Sequence, residues 1–156
     1  MMQLTMPKDI KSIVIASHNE GKVREIRSLL DPYGYKIISA KKLGINEPIE
    51  NGMTFSENSL IKSRNAAKKS GLVALADDSG LCVNSLNYRP GIYSARWAGK
   101  NKDFGMAMKK IQKLMEKNDL LSKYNRRAFF VCSLSVYFPD GKNKVFNGRV
   151  NGHLQF

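Results

Sequence analysis

Two carboxylates, Asp77 and Asp78, stand side by side in ADDSGLCVNSL, directly after the apolar run LVALA. Nearer the N-terminus, SHNEGK joins a short β-branched run to a segment with helical spacing. Both stretches have residue types suited to phosphate chemistry. Backbone N–H groups at a helix N-terminus attract anions. In SHNEGK, Ser17 and Asn19 add hydrogen-bond donors and Lys22 adds a full positive charge. The stretch is not a Walker A loop, because Ala16 and Val23 occupy positions where that motif requires Gly and Ser/Thr. A carboxylate beside a phosphate site is repelled unless a cation lies between them. Mg²⁺ fits that place, since it takes oxygen ligands and is often held by one or two carboxylates plus substrate phosphates. A second carboxylate is available in NEPIENG, as Glu47 or Glu50. Neighbours on a strand point opposite ways, so Asp77 and Asp78 are expected to do different jobs. The competing readings are plain. An Asp pair also caps turns and forms surface salt bridges, and SHNEGK also reads as an ordinary polar turn. His18 is expected to face solvent.

The whole chain is basic, with 26 Lys and Arg against 13 Asp and Glu, a net charge of +13. Such a chain suits nucleic acid, an anionic surface or a small polyanionic substrate. The basic residues are spread out, and the lysines of KKIQKLMEK (Lys109, Lys110, Lys113, Lys117) fit a solvated helix face. No zinc-finger spacing or RNP1-like run occurs, so no specific nucleic-acid partner is expected. No apolar run is long enough to span a bilayer. MMQLTMPKDIK has no apolar core of signal-peptide length, so a cytoplasmic location is expected. Cys82 and Cys132 lie far apart within apolar stretches and read as buried, reduced thiols.

The elements that must position these residues alternate in type. SIVIAS, YKIISA, LVALAD and RRAFFVCSLSVYF read as strands, with GLCVNSL as a further short one. The last long strand is apolar on both faces around Cys132, as in a sheet centre. PDGKNK is a hairpin turn returning into VFNGRV. KVREIRSLL carries Val23, Ile26, Leu29 and Leu30 at helical spacing and stops at DPYG. TFSENSLIKSRNAAKKSG reads as a helix with a capping box at Thr54 and Glu57 and a stop at Gly71. A further helix starts at Asp103, with Phe104, Met108, Ile111 and Met115 on one side. Met106, Met108 and Met115 read as core filler, and Trp97 as packing. This is a single α/β domain with a mixed sheet, residues 1–156.

Taken together, SHNEGKVREI, ENGMTFSENSLIKSRNAA, ADDSGLCVNSLNYRPGIYSARWAG and RRAFFVCSLSVYFPDG closely resemble the Ham1/RdgB family, the inosine/xanthosine triphosphate pyrophosphatases. The likeness runs in order from Ile13 to Val150. It implies an elongated α/β fold with a central mixed sheet flanked by helices, two lobes with a cleft between them, and a homodimer. It also implies Mg²⁺-dependent hydrolysis of ITP, dITP or XTP to the monophosphate and pyrophosphate. Residue by residue, Ser17, Asn19 and Lys22 match the family's S/T-x-N-x-x-K loop, so the substrate-binding stretch is Ser17, His18, Asn19, Glu20, Gly21 and Lys22. Glu50 matches the metal-binding Glu, with Asn51 in place of the usual Thr after it. Lys62 matches the phosphate-facing lysine of E-N-x-x-x-K. Asp78 matches the residue assigned to metal and water activation, and Ser79 a substrate-contacting serine. Asp77 is then a supporting residue. Arg96 is expected to pair with a carboxylate inside the fold, the alternative being that it reaches the substrate.

The family pattern continues with a GFGYDP-like segment, a lysine and a Ser-His-Arg motif, and none of them occurs in this sequence; His153 has no such surroundings. Those elements read the purine, so the 156-residue chain is expected to show low or no activity and little preference for ITP over ATP. Two alternatives carry other expectations. One is a non-catalytic relic or basic nucleic-acid-binding protein on the same fold. The other is a Maf-like nucleotide pyrophosphatase, which ADDSGL and YSAR fit less well.

Overall fold

A computed structural model describes residues 10–156; the first nine residues, most of the stretch read for a signal segment, lie outside it. The strands are β1 (Ser12–Ile15), β2 (Lys36–Ser39), β3 (Val73–Val83), β4 (Arg127–Tyr137) and β5 (Asn143–His153). The helices are α1 (Glu20–Leu30), α2 (Phe55–Ser70), α3 (Ser94–Trp97) and α4 (Phe104–Lys117). The strands form one sheet in the order β2-β1-β3-β4-β5. β1 is parallel to both neighbours, with Ile13 opposite Ile37 on one side and Val73 on the other. Parallel neighbours need a crossover, which α1 supplies between β1 and β2. β4 and β5 are joined by a tight turn in which Phe138 N–H donates to the Lys142 carbonyl at 2.8 Å. So short a link joins only antiparallel strands. At the far end Leu154 N–H donates to the Arg126 carbonyl at 2.8 Å, and between these points the side chains of Ser133 and Asn147 are hydrogen-bonded. The expected open mixed sheet with flanking helices is therefore present.

The chain divides into two compact units. The first holds the described residues up to Gly52, with Ser56–Asp77 and Leu134–Phe146. The second holds Met53–Phe55, Asp78–Ser133 and Asn147–Phe156. In the first unit β1 is buried on both faces, as a central parallel strand must be. Val14 and Ala16 pack with Ala66, Ala67, Ala74 and Ala76. The alternate residues Ile13 and Ile15 pack with Val23, Ile26 and Leu30 of α1 and its last turn. In the second unit α4 buries Ala107, Ile111 and Met115, one turn apart, and its core includes Val83, Leu86, Ala128 and Leu154.

Several expectations need correction. LVALAD and GLCVNSL are one 11-residue strand, β3, and not two. Asp77 and Asp78 therefore lie in the strand interior and not at its end. Gly80 makes the continuity possible: a Cβ there would collide with the Gly91 carbonyl and would lie 2.7 Å from Ser94 Oγ. Ser94 in turn accepts from Leu81 N–H at 2.9 Å. A strand glycine of this kind marks close backbone approach and not a turn. Cys132 is exposed and Phe130 is half exposed, because that face of β4 is not covered along this stretch. Phe104 and Met106 are also exposed; the buried stripe of α4 starts at Ala107, and these two precede it on the open side of the first turn. Trp97 packs against the α4 core as expected, and Lys109, Lys110, Lys113 and Lys117 are solvated. Among the described residues no helix is long and apolar enough to cross a membrane.

Candidate active site

The first unit builds the phosphate-type loop where β1 hands over to α1. Asn19 is the N-cap of α1 with an extended backbone, and its Oδ1 accepts from Gly21 N–H at 3.0 Å and Lys22 N–H at 3.4 Å. Asn19 N–H donates to Ser17 Oγ at 3.1 Å. Ser17 and Asn19 thus use their oxygens on the backbone, which fixes the loop, and keep the hydroxyl proton and the amide NH₂ as donors. Glu20 is exposed and lies in the first helical turn, where a negative charge suits the helix dipole. Lys22 reaches Asp77, with Nζ 2.5 Å from Oδ2. The pair joins α1 to β3 across 55 residues of sequence.

His18 is half-buried, with its ring turned onto the chain and not simply into solvent. Its Nε2 lies 2.8 Å from the Ile45 carbonyl. A carbonyl oxygen has no proton to give, so Nε2 carries the hydrogen and donates. The His18 backbone N–H donates to Glu47 Oε1 at 3.3 Å, and Asn65 Nδ2 on α2 donates to the Asn46 carbonyl at 3.2 Å. Ile45, Asn46 and Glu47 are each held in turn, and Glu50 follows after Pro48 and Ile49. Glu50 Oε1 lies 3.6 Å from Lys62 Nζ on α2. Just beyond, Gly52 N–H donates to the side chain of buried Asn58 at 2.8 Å. A Cβ at Gly52 would sit 2.6 Å from Asn58 Oδ1. The ENG turn is thus seated directly on the first turn of α2.

A buried chain of hydroxyls sets α2 against the sheet. Ser63, Ser135 and Ser59 are linked at 2.7 Å each, and Ser59 Oγ donates to the Ala76 carbonyl at 3.0 Å. This anchors the strand one residue before Asp77. Burial of such groups is tolerated because each has a partner. The sequence reading missed Ser59, Ser63, Asn58 and the ring contact of His18. Ser59 and Ser63, four apart and in line with Ala66 and Ala67, were the available sign of a small buried helix face.

The division between the units on β3 falls between the two aspartates, so Asp77 lies in the first unit with Ser17 to Lys22, Glu50 and Lys62, while Asp78 and Ser79 lie in the second. Asp77 and Asp78 are both buried, each 8% exposed. Arg96 lies over the Tyr93 ring, 4.9 Å from its centroid. Among the described residues there is no group of three or more His, Cys, Asp or Glu side chains able to hold a metal ion. The first unit by itself supplies two lysines and a capped helix start for an anion, with one carboxylate beside each lysine.

The sequence matches the Ham1 family over residues 13–156. It is 54% identical over 143 residues to the dITP/XTP pyrophosphatase of Zymomonas mobilis, covering 91% of this chain and 67% of that protein. It is 49% identical to the dITP/XTP pyrophosphatase of Rhodopseudomonas palustris, covering 91% of this chain and 68% of that one. Among solved structures, a HAM1 protein from Coxiella burnetii superposes with a TM-score of 0.83 at 36% identity, covering 92% of this chain and 73% of that one.

Proposed function

This chain belongs to the Ham1 family, and on that premise we propose that it is a nucleoside-triphosphate pyrophosphatase acting on non-standard purine nucleotides such as dITP and XTP. The observation that carries the reading is the 54% identity over 143 residues to a relative that bears this activity in its name, spanning every candidate site residue from Ser17 to Ser79. The geometry of the first unit supports it, because Lys22 and Lys62 each stand beside the capped loop or the loop that follows β2, as a polyphosphate site requires.

In the reaction, water attacks the α-phosphorus and a P–O bond forms. The bond from that phosphorus to the α–β bridging oxygen breaks, and pyrophosphate leaves with the electron pair. Ser17 and Asn19 bind phosphate oxygens through the hydroxyl proton and the amide NH₂, in the loop that His18, Glu20 and Gly21 shape. Lys22 and Lys62 neutralise the charge that gathers on the leaving pyrophosphate. Asp78 orients the water and takes its proton. Ser79 contacts the substrate beside it. Asp77 holds Lys22 in place.

Mg²⁺ is the cofactor we assign, with Glu50 and Asp78 as its protein ligands. The donor chemistry fits: the candidates are hard carboxylate oxygens, the kind Mg²⁺ takes together with water and substrate phosphates. When bound, Mg²⁺ neutralises phosphate charge and lowers the pKa of bound water. Both cysteines are free, which fits the reducing cytoplasm we propose as the location.

The test is pyrophosphate release from dITP, XTP and ATP with and without Mg²⁺. Mg²⁺-dependent pyrophosphate is the expected product. Release of single phosphates in place of pyrophosphate would overturn the reading.

A further inference from the structure

We infer that His18 is a positioning residue that clasps the loop carrying Glu50 to the phosphate loop, and thereby sets where Glu50 can meet a divalent cation. The inference rests on the metal role proposed for Glu50.

The loop needs such a clasp. Residues 45–50 have no regular secondary structure. Ile45 is buried at 7% exposure, but Asn46 and Glu47 are exposed and Ile49 is 84% exposed, so apolar burial anchors only one end. Side-chain hydrogen bonds hold the rest. His18 supplies two of them, through Nε2 to the Ile45 carbonyl at 2.8 Å and through its backbone N–H to Glu47 Oε1 at 3.3 Å. The ring contact is direct. The cavity bounded by His18, Ala16, Ile45, Asn46, Lys62 and Asn65 measures about 10 Å³, at the lower limit for one water molecule.

His18 also sits between Ser17 and Asn19, whose side chains fix the turn into α1. Its ring therefore ties the position of the Glu50 loop to the same turn that would receive the phosphates. Lys62 and Asn65, one helical turn apart on α2, hold the loop from the other side. A carboxylate delivered by a loop is a good ligand only if the loop arrives at one place, since outer-shell partners orient the ligands they support. The required property of residue 18 is a rigid N–H donor of this reach. A glutamine amide supplies the same donor; alanine supplies none.

The experiment measures Mn²⁺ binding to the full 156-residue chain by the loss of the free-ion paramagnetic resonance signal, with thermal melting in parallel, and needs no turnover. Mn²⁺ serves as probe because it takes the same oxygen ligands. His18→Ala should weaken Mn²⁺ binding about tenfold, while His18→Gln should bind as the parent does. Glu50→Gln should lose the binding. Parent-like affinity in His18→Ala, with binding lost in Glu50→Gln, overturns the role of His18 and leaves Glu50 as ligand. Parent-like affinity in Glu50→Gln overturns the metal role of Glu50 itself. Should His18→Ala fail to fold, His18→Gln decides: a folded His18→Gln chain with weakened Mn²⁺ binding overturns the inference.

Discussion

Lys22 Nζ lies 2.5 Å from Asp77 Oδ2, with the aspartate side chain 10% exposed and the lysine side chain 37% exposed. The lysine expected to face phosphate is thus held by the supporting aspartate. Breaking a fully buried pair costs roughly 3–5 kcal/mol, and the open lysine end reduces this through screening, so Asp77→Asn should cost about 1–2 kcal/mol. That corresponds to a fall in Tm of about 2–8 °C for a chain of this size. Scanning calorimetry checks the value. A parent-like Tm with abolished turnover would move Asp77 from support to chemistry.

Asp78 carries the opposite expectation. Asp78→Asn keeps the shape of the side chain and removes its charge. Turnover should fall by about 10²–10⁴-fold, the range for a lost general base, while Tm stays close to the parent value. The readout is pyrophosphate release from dITP at saturating Mg²⁺. Full Mg²⁺-dependent activity in this variant would withdraw Asp78 from the site.

Gly52 offers a purely steric test. An added Cβ would meet Asn58 Oδ1 at 2.6 Å and Glu57 Cβ at 2.8 Å. Overpacking of this kind costs about 1–3 kcal/mol. Gly52→Ala should therefore melt earlier, and Mn²⁺ binding should weaken with it because Glu50 is two residues away. An unchanged melting curve would mean that the ENG turn is not seated as described.

The net charge of +13 permits phosphate contacts of any kind. If its use is a nucleotide substrate, duplex DNA binding should be weak and strongly salt-dependent, with a loss of about 10³-fold or more between 50 and 200 mM salt if some six phosphates are contacted. Fluorescence anisotropy with a labelled duplex gives the slope. Salt-tolerant, sequence-specific binding would favour a nucleic-acid-binding protein on this fold.

The two cysteines should respond differently to a thiol reagent. Cys132 is exposed and Cys82 is buried. Burial raises the Cys82 thiol above its ordinary value of 9.0, with Arg149 opposing this in part. The folded chain should react quickly at Cys132 alone, and at both only when denatured. Linkage gives the pH dependence: above about pH 9 the unfolded thiol loses its proton while the buried one keeps it, so the contribution of Cys82 to stability falls as pH rises through that range. Cys82→Ser should flatten this alkaline decline in Tm.

Much of the local structure was legible in the sequence because its causes are local. Asp103 caps the helix that follows it, and Gly71 ends α2 with φ near 70°. β-branched runs form β1 and β2. The ordered family motifs point to one activity, since each places a charged or hydrogen-bonding group at a fixed offset. What tertiary structure alone decided depends on contacts between distant segments. The Lys22–Asp77 pair, the His18–Ile45 clasp and the Ser59–Ser135 link join residues 55, 27 and 76 positions apart, and spacing cannot specify such pairs. The Asp77-Asp78-Ser79-Gly80 run looks like a turn by composition. It becomes strand interior because the Gly91 carbonyl and Ser94 pack onto Gly80. Cys132 reads as core by its neighbours in sequence and is exposed because exposure of a strand face depends on what packs against it, which no local pattern records.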